Sequence, residues 1–310
     1  MRSIRATVVR RIADAMRTGV FLGLALALGT GCATVAPPMA TPPHAATLIS
    51  QAPPPMRRAD IIPTDIERAV QAEAAIETSS KVPLQPGEPW FVATVGSQRV
   101  IASAPHATSP LREGKRRFSD GPATAALAQS LHALCGATVI YTTREGPSDP
   151  NYYDDNDYKR ELARLIAEQS PMLVLDIHGS HPSRPYDVDF GTMHGASLLG
   201  RDELVTRLAE QLRAEGLTNL SDNFFAASGK ETVTKFASRL GVPTIQLEIS
   251  ATRLQPGRGC DATTPATCGS LDTHRFAQLL QGLVRYLEGL GQCHRDTAAP
   301  PVTTPVPPTH

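Results

Sequence analysis

Residues 171–179 read PMLVLDIHG. Met172–Ile177 is a short, nearly continuous apolar run entered through Pro171, the pattern of a strand buried on both faces. Asp176 interrupts the run, and His178-Gly179 ends it. On its N-terminal side, 156–169 (NDYKRELARLIAEQ) carries Leu162, Leu165 and Ile166 at helical spacing. Before that, Ala137–Thr142 (ATVIYT) is short and β-branched, hence a strand, and 121–134 (GPATAALAQSLHAL) fits a helix with Pro122 near its first turn. Two apolar runs, Trp90–Val95 and Arg99–Ala104, flank Gly96-Ser97 and predict a hairpin. Further on, 187–192 (DVDFGT) alternates, 201–215 is amphipathic with Leu204, Leu208 and Leu212 four apart, 231–240 reads as helix and 243–249 (PTIQLEI) as strand. Residues 272–290 close the pattern as a helix capped by Asp272. Strands alternating with helices predict an α/β fold, a three-layer α/β/α sandwich with a mixed, mostly parallel sheet.

The chain has 310 residues, with 30 basic and 30 acidic side chains and a formal net charge of zero. No basic excess exists to displace phosphate counterions, so nucleic acid is not an expected partner. Hydrophobic residues at 41% and charged residues at 19% suffice for a core. The 27 prolines crowd the two ends.

Arg2, Arg5, Arg10, Arg11 and Arg17 precede the apolar run Val20–Leu28, the pattern of an export signal and too short for a spanning helix. It ends in Leu28-Gly29-Thr30-Gly31-Cys32, which resembles a bacterial lipobox. The reading is a lipoprotein signal over 1–32 with Cys32 lipidated (palmitate among its acyl groups), or else cleavage near Ala33 with Cys32 incidental. Ala33 after the Cys suits the outer membrane, facing the periplasm. Residues 33–81 read as a Pro/Ala-rich tether with a possible short helix over 64–79 capped by Thr64; 82–293 is the folded domain, and 294–310 a Pro/Thr-rich disordered tail. Export permits disulfides. Cys260 and Cys268 flank a short loop and are the first pair to expect; Cys135 with Cys293 would follow, unless Cys135 is a buried thiol.

In such sheets, sites form beyond the carboxyl ends of strands. Pro105-His106 follows one strand, Asp176 and His178 end another, and Glu248 lies near the end of a third. Two His with carboxylates at strand ends are the ingredients of a catalytic zinc site, with a further carboxylate as general base. Asp176, two residues from His178, either holds that ring in one tautomer or is a structural acid. A Glu inside an apolar strand is costly unless paired or functional. His181 and His194 are rivals to His178. The acidic loop 149–157, with six Asp or Asn, lacks the spacing of a calcium loop and either caps the following helix or lines the pocket. Gly229-Lys230-Glu231-Thr232 lacks the order of a phosphate loop, and neither G-x-S-x-G nor H-E-x-x-H occurs.

The order of these segments resembles the N-formylglutamate amidohydrolase-like hydrolases, relatives of the zinc carboxypeptidase fold. The resemblance covers about 100–255 and rests on APHAT at 104–108, Arg112-Glu113-Gly114, Ser119 to Thr124 (SDGPAT), the acidic stretch 149–157, Asp176-Ile-His-Gly179, Asp187 to Thr192 and Gln246-Leu-Glu-Ile249. Ala107-Thr108 stands where some members have Gly-Gly, and Asp120 where relatives often have Glu. The resemblance implies zinc held by His106, Asp120 and His178, with Glu113 the rival to Asp120, and Glu248 as base. An arginine is needed for the oxyanion or a substrate carboxylate: Arg112 first, Arg253 second. The implied activity is zinc-dependent hydrolysis of an amide bond in an N-acyl amino acid or peptide-like substrate at the cell envelope. The alternatives are a non-catalytic envelope lipoprotein that keeps the fold as a binding or structural module, and a purely structural metal.

Overall fold

A computed structural model describes residues 61–256 and 270–293. The expected signal and Cys32, the tether up to residue 60, the Cys260–Cys268 pair and the tail from 294 lie outside these residues. No helix among the described residues is long and apolar enough to cross a membrane.

The strands are β1 (Phe91–Thr94), β2 (Val100–Ala104), β3 (Leu111–Arg112), β4 (Lys115–Arg116), β5 (Thr138–Thr142), β6 (Leu173–Ser180), β7 (Val188–Gly191), β8 (Leu220–Asp222) and β9 (Thr244–Ser250). The helices are α1 (Pro63–Ser80), α2 (Ala123–Cys135), α3 (Asp157–Gln169), α4 (Glu203–Ala214), α5 (Val233–Arg239) and α6 (Ser270–Gly289). Seven strands form one sheet in the order β1-β5-β2-β6-β9-β7-β8; β3 and β4 make a separate small hairpin. The ladders from β5 through β2 and β6 to β9 are parallel, as is β7–β8, whereas β1–β5 and β9–β7 are antiparallel. The sheet is mixed and mostly parallel, with helices on both faces.

Period-2 alternation sorts the strand residues between the two faces. Val100, Ala102, Ala104, Leu173, Leu175, Ile177, Ile245, Leu247 and Ile249 join one core with α1, α2, α4 and α6. Ile101, Ile140 and Val174 join a smaller core with α3 and α5. On that second face the next residues along the strands are polar: Ser103, Asp176, His178, Gln246 and Glu248. The smaller core therefore gives way to a polar end at the carboxyl termini of β2, β6 and β9.

Three local expectations are corrected. β1 and β2 form no hairpin, because β5 lies between them. Gly96 lies against the backbone of Gly136 and Ala137, where a Cβ would come within 2.0 Å of the Gly136 carbonyl oxygen. Gly96 N donates to Thr138 Oγ1 at 3.0 Å and Gln98 N to Gly136 O at 3.0 Å, so the chain crosses the start of β5 instead of turning back. α1 begins at Pro63, ahead of the expected Thr64 cap; the Asp65 carboxylate accepts the Ile62 amide at 3.0 Å. Asp272 lies within α6, which already runs from Ser270. α1 packs along α2 and sends Ala69 and Ile76 into the larger core. Cys135, the last residue of α2, is disulfide-bonded to Cys293 beyond α6.

Candidate active site

His106 and His178 follow or end the adjacent parallel strands β2 and β6, and both are buried. Asp120 reaches them from the loop before α2. Its backbone amide donates to the His106 carbonyl at 2.8 Å, and its carbonyl lies over Gly179, where a Cβ would stand 2.4 Å away. Only glycine after His178 leaves room for that crossing. One ligand atom from each of His106, Asp120 and His178 lies within 4.8 Å of the others. Among the described residues this is the one group of three or more His, Cys, Asp or Glu so arranged.

The two rings share one plan. The Nδ1 atoms of His178 and His106 lie 2.7 and 3.3 Å from Asp120 Oδ2. Each Nε2 meets a buried carboxylate: His106 with Asp149 Oδ1 at 2.7 Å, His178 with Asp176 Oδ1 at 3.2 Å. Those carboxylates are anchored in turn. Asp176 Oδ2 accepts from Thr234 Oγ1 of α5 at 3.0 Å. Asp149 accepts from Asn151 N at 2.9 Å and from Arg112 Nε at 2.8 Å, with Arg112 Nη2 at 2.6 Å. Both Nδ1 atoms thus face one point, with the tautomers fixed from behind.

Burial opposes the ionisation of Asp120, yet His106 and His178 hold its carboxyl well below the ordinary range. The same balance, burial against His106 and Arg112, depresses Asp149. Burial alone would lower His178; the facing carboxylates of Asp176 and Asp120 raise it well above its usual value. Glu248 lies beside His178 in the β6–β9 register and beside Asp189 of β7. Burial pushes its carboxyl up to about 7, with His178 opposing and Asp120 and Asp176 adding to the rise. Gln246 Nε2 donates to Glu248 Oε1 at 3.0 Å.

Of the residues expected from sequence, His106, Asp120, His178, Asp176 and Glu248 come together. Glu113 stands outside the cluster, half of a contact with the Tyr152 hydroxyl. His181 is exposed and bonded to Ser183 Oγ at 2.7 Å, and His194 is likewise outside. Arg112 reaches the site through Asp149. Arg253 is bound to Asp187 at 3.0 Å and to Gln278 of α6 at 3.1 Å, so it ties the loop after β9 to the start of β7 and to α6. Of the two readings of the acidic loop the cap is seen, Asn156 Oδ1 accepting Lys159 N at 3.0 Å at the start of α3, while Asp149 takes a further part by backing His106.

Sequence reasoning passed over Arg117 and did not single out Asp149. The Arg117 guanidinium contacts His106 Nδ1 and donates to Asp120 Oδ1 at 3.1 Å. Nothing in Lys115-Arg116-Arg117 distinguishes the last residue from its neighbours. Asp149 opens a run of acids, and only its position seven residues past β5 hinted at a strand-end role. A separate cavity of about 300 Å³, lined by Asp65, Arg68, Gln129, His132 and Tyr141, lies between α1, α2 and the β1–β5 edge and takes no part in the cluster.

No protein-family model matches the chain, and no curated protein matches it. Among solved structures it is similar to N-formylglutamate amidohydrolase from Ralstonia eutropha, at 16% identity over 64% of this chain and 97% of that one, with a TM-score of 0.43. It is also similar to a bacteriophage poly-gamma-glutamate hydrolase (15% identity, 70% and 96% of the two chains, TM-score 0.40). A metallo-carboxypeptidase from Burkholderia cenocepacia follows at 12% identity, 70% of this chain and 68% of that one, TM-score 0.41. At these identities the likeness concerns the path of the chain, and the chemistry of the site has to come from its own side chains.

Proposed function

We propose that this protein is a zinc-dependent hydrolase of amide bonds, acting on an N-acyl amino acid or peptide-like substrate. The observation that carries this is the convergence of His106 Nδ1, His178 Nδ1 and Asp120 Oδ2, with a buried carboxylate behind each ring. Two imidazoles and one carboxylate are the donor set of a catalytic zinc site with an open position. Charge agrees: Asp120, Asp149, Asp176 and Glu248 gather around the cluster, with the guanidinium groups of Arg112 and Arg117 against two of them. Arg117, lying against two of the three donors, is itself a cation resting where a cation is wanted.

Zinc bound there would lower the pKa of a water molecule toward ~7 and polarise the amide carbonyl. Glu248 accepts the proton of the attacking water and returns it to the leaving nitrogen. Its half-buried position keeps its proton affinity high, and a dication beside it would bring the pKa down from about 7 to where the carboxylate is ready as base. Arg117 donates to the carbonyl oxygen as charge develops on it. Asp149 and Asp176 hold the two rings, and Arg112 holds Asp149.

The basic and apolar residues before Cys32 support an exported enzyme anchored by lipid at the bacterial cell envelope, facing the periplasm from the outer membrane. The Cys135–Cys293 bond is in keeping with an oxidising compartment. One observation favours a second reading, a metal-free binding module on the same fold: the Arg117 guanidinium is a built-in counter-charge for Asp120.

Elemental analysis separates the two. About one zinc per chain, as a single catalytic site requires, is expected in the wild type and lost in His106→Ala and His178→Ala. Glu248→Gln should keep the metal while activity on amides drops roughly 10²–10⁴-fold. A folded wild type that takes up no metal when zinc is supplied would leave the binding module as the better account.

A further inference from the structure

The β7–β8 side of the site carries an aromatic side chain that core packing does not explain. Phe224 is 51% exposed. Its ring meets Tyr186 at 5.5 Å and Phe225 at 5.2 Å, both near edge-on, and the Arg184 guanidinium lies over the rings of Phe224 and Phe225 at 5.4 and 5.0 Å.

The backbone beneath that ring is held against its own preference. Asn223 and Ala227 have φ of +59°, and Met193 and His194 in the facing loop have +52° and +56°. Left-handed conformations are unfavourable for most non-glycine residues, Asn least so, and persist where the surroundings over-determine them. Here they do. Asn223 Oδ1 accepts from Thr192 N at 3.0 Å, Thr192 Oγ1 at 3.2 Å and His194 N at 3.1 Å, and Met193 N donates to Ala226 O at 2.7 Å. Fully buried Asp189 accepts from Ser221 Oγ at 2.7 Å and from the amides of Phe224 and Phe225 at 3.0 and 2.8 Å.

The loop is keyed to Glu248 twice. Asp189 is the register partner of Glu248. Gln246 Nε2, which donates to Glu248, also reaches Phe225 O at 3.4 Å. Phe224 therefore stands at a fixed place relative to that carboxylate, on the side away from His106. One ring bordered by Arg184, Asp222 and Asn223 is too small a patch for a macromolecular interface.

We infer that Phe224 is a specificity-determining residue, its free face packing against an apolar side chain or acyl group of the substrate beside the scissile amide. This rests on the metal-hydrolase reading, because Glu248 is its landmark. Substrates with a hydrocarbon or aromatic group on that side are preferred over those with a methyl.

The test is calorimetric binding of two metal-chelating probes, the hydroxamates of N-acetyl-phenylalanine and N-acetyl-alanine, to the zinc-loaded full chain. The wild type should bind the phenylalanine compound about tenfold more tightly, the scale of one aromatic contact. Phe224→Ala should bring that ratio near one, and Phe224→Leu should keep an intermediate value. An unchanged ratio in Phe224→Ala, or a wild-type ratio of one, overturns the inference while leaving the metal site standing. If neither compound binds the wild type, the metal reading falls and takes the inference with it; the ringless alanine hydroxamate tells the two failures apart.

Discussion

Asp149 and Asp176 each receive one imidazole and are themselves received by a donor from another element, Arg112 in one case and Thr234 in the other. That makes them as specific as the groups they support. Asp149→Asn and Asp176→Asn should each weaken zinc affinity about 10–100-fold without unfolding the protein, because such backing carboxylates set ligand orientation and basicity. Competition against a chromophoric chelator measures this, and unchanged affinity in both would contradict their role. At this scale the sequence was legible where a polar residue breaks an apolar strand: His178, Asp176 and Glu248 stand out because burial there needs a reason. Asp149 and Arg117 do not stand out, since a charged residue in a loop satisfies every local rule and acquires meaning only from what packs against it. Arg112 stands out no more than they do, and its bond to Asp149 becomes visible only in the fold.

Elements were legible to the extent that their periodicity is local. Helices α2 to α5 and strands β2, β5, β6 and β9 follow apolar spacing closely. The hairpin failed because Gly96-Ser97 reads as a turn, while its actual use is a close approach to a strand made forty residues later, which no local pattern reports. Gly179 is the same kind of residue, placed under the Asp120 loop. Gly179→Ala would set a Cβ 2.4 Å from the Asp120 carbonyl oxygen, and backbone cannot yield as a flexible side chain can. The Asp120 loop must lift, so zinc affinity should fall at least tenfold, with a stability cost of roughly 1–3 kcal/mol from overpacking. Chelator competition and thermal melting read the two effects separately; normal zinc affinity in a folded variant would mean that the loop does not depend on this crossing.

Across the whole molecule, the Cys135–Cys293 bond closes a span of 158 residues and ties the end of α2 to the chain beyond α6. In chain-entropy terms a loop of that length contributes about 5 kcal/mol by restricting the unfolded state. Cys135→Ser with Cys293→Ser should therefore lower the melting temperature by roughly 10 °C and leave zinc content alone, since neither cysteine is near the cluster; a melting point within a degree or two of wild type would show that the bond constrains little. The sheet order has a consequence of another kind. Among the described residues β9 is the last strand, yet it enters between β6 and β7, with β8 bound only to β7. Until residues 244–250 are in place, then, the sheet has a gap in its middle: two strand edges wait open, each a template for a stray neighbour. The central strand comes after every other strand described, and Glu248, the base of the proposed reaction, comes with it.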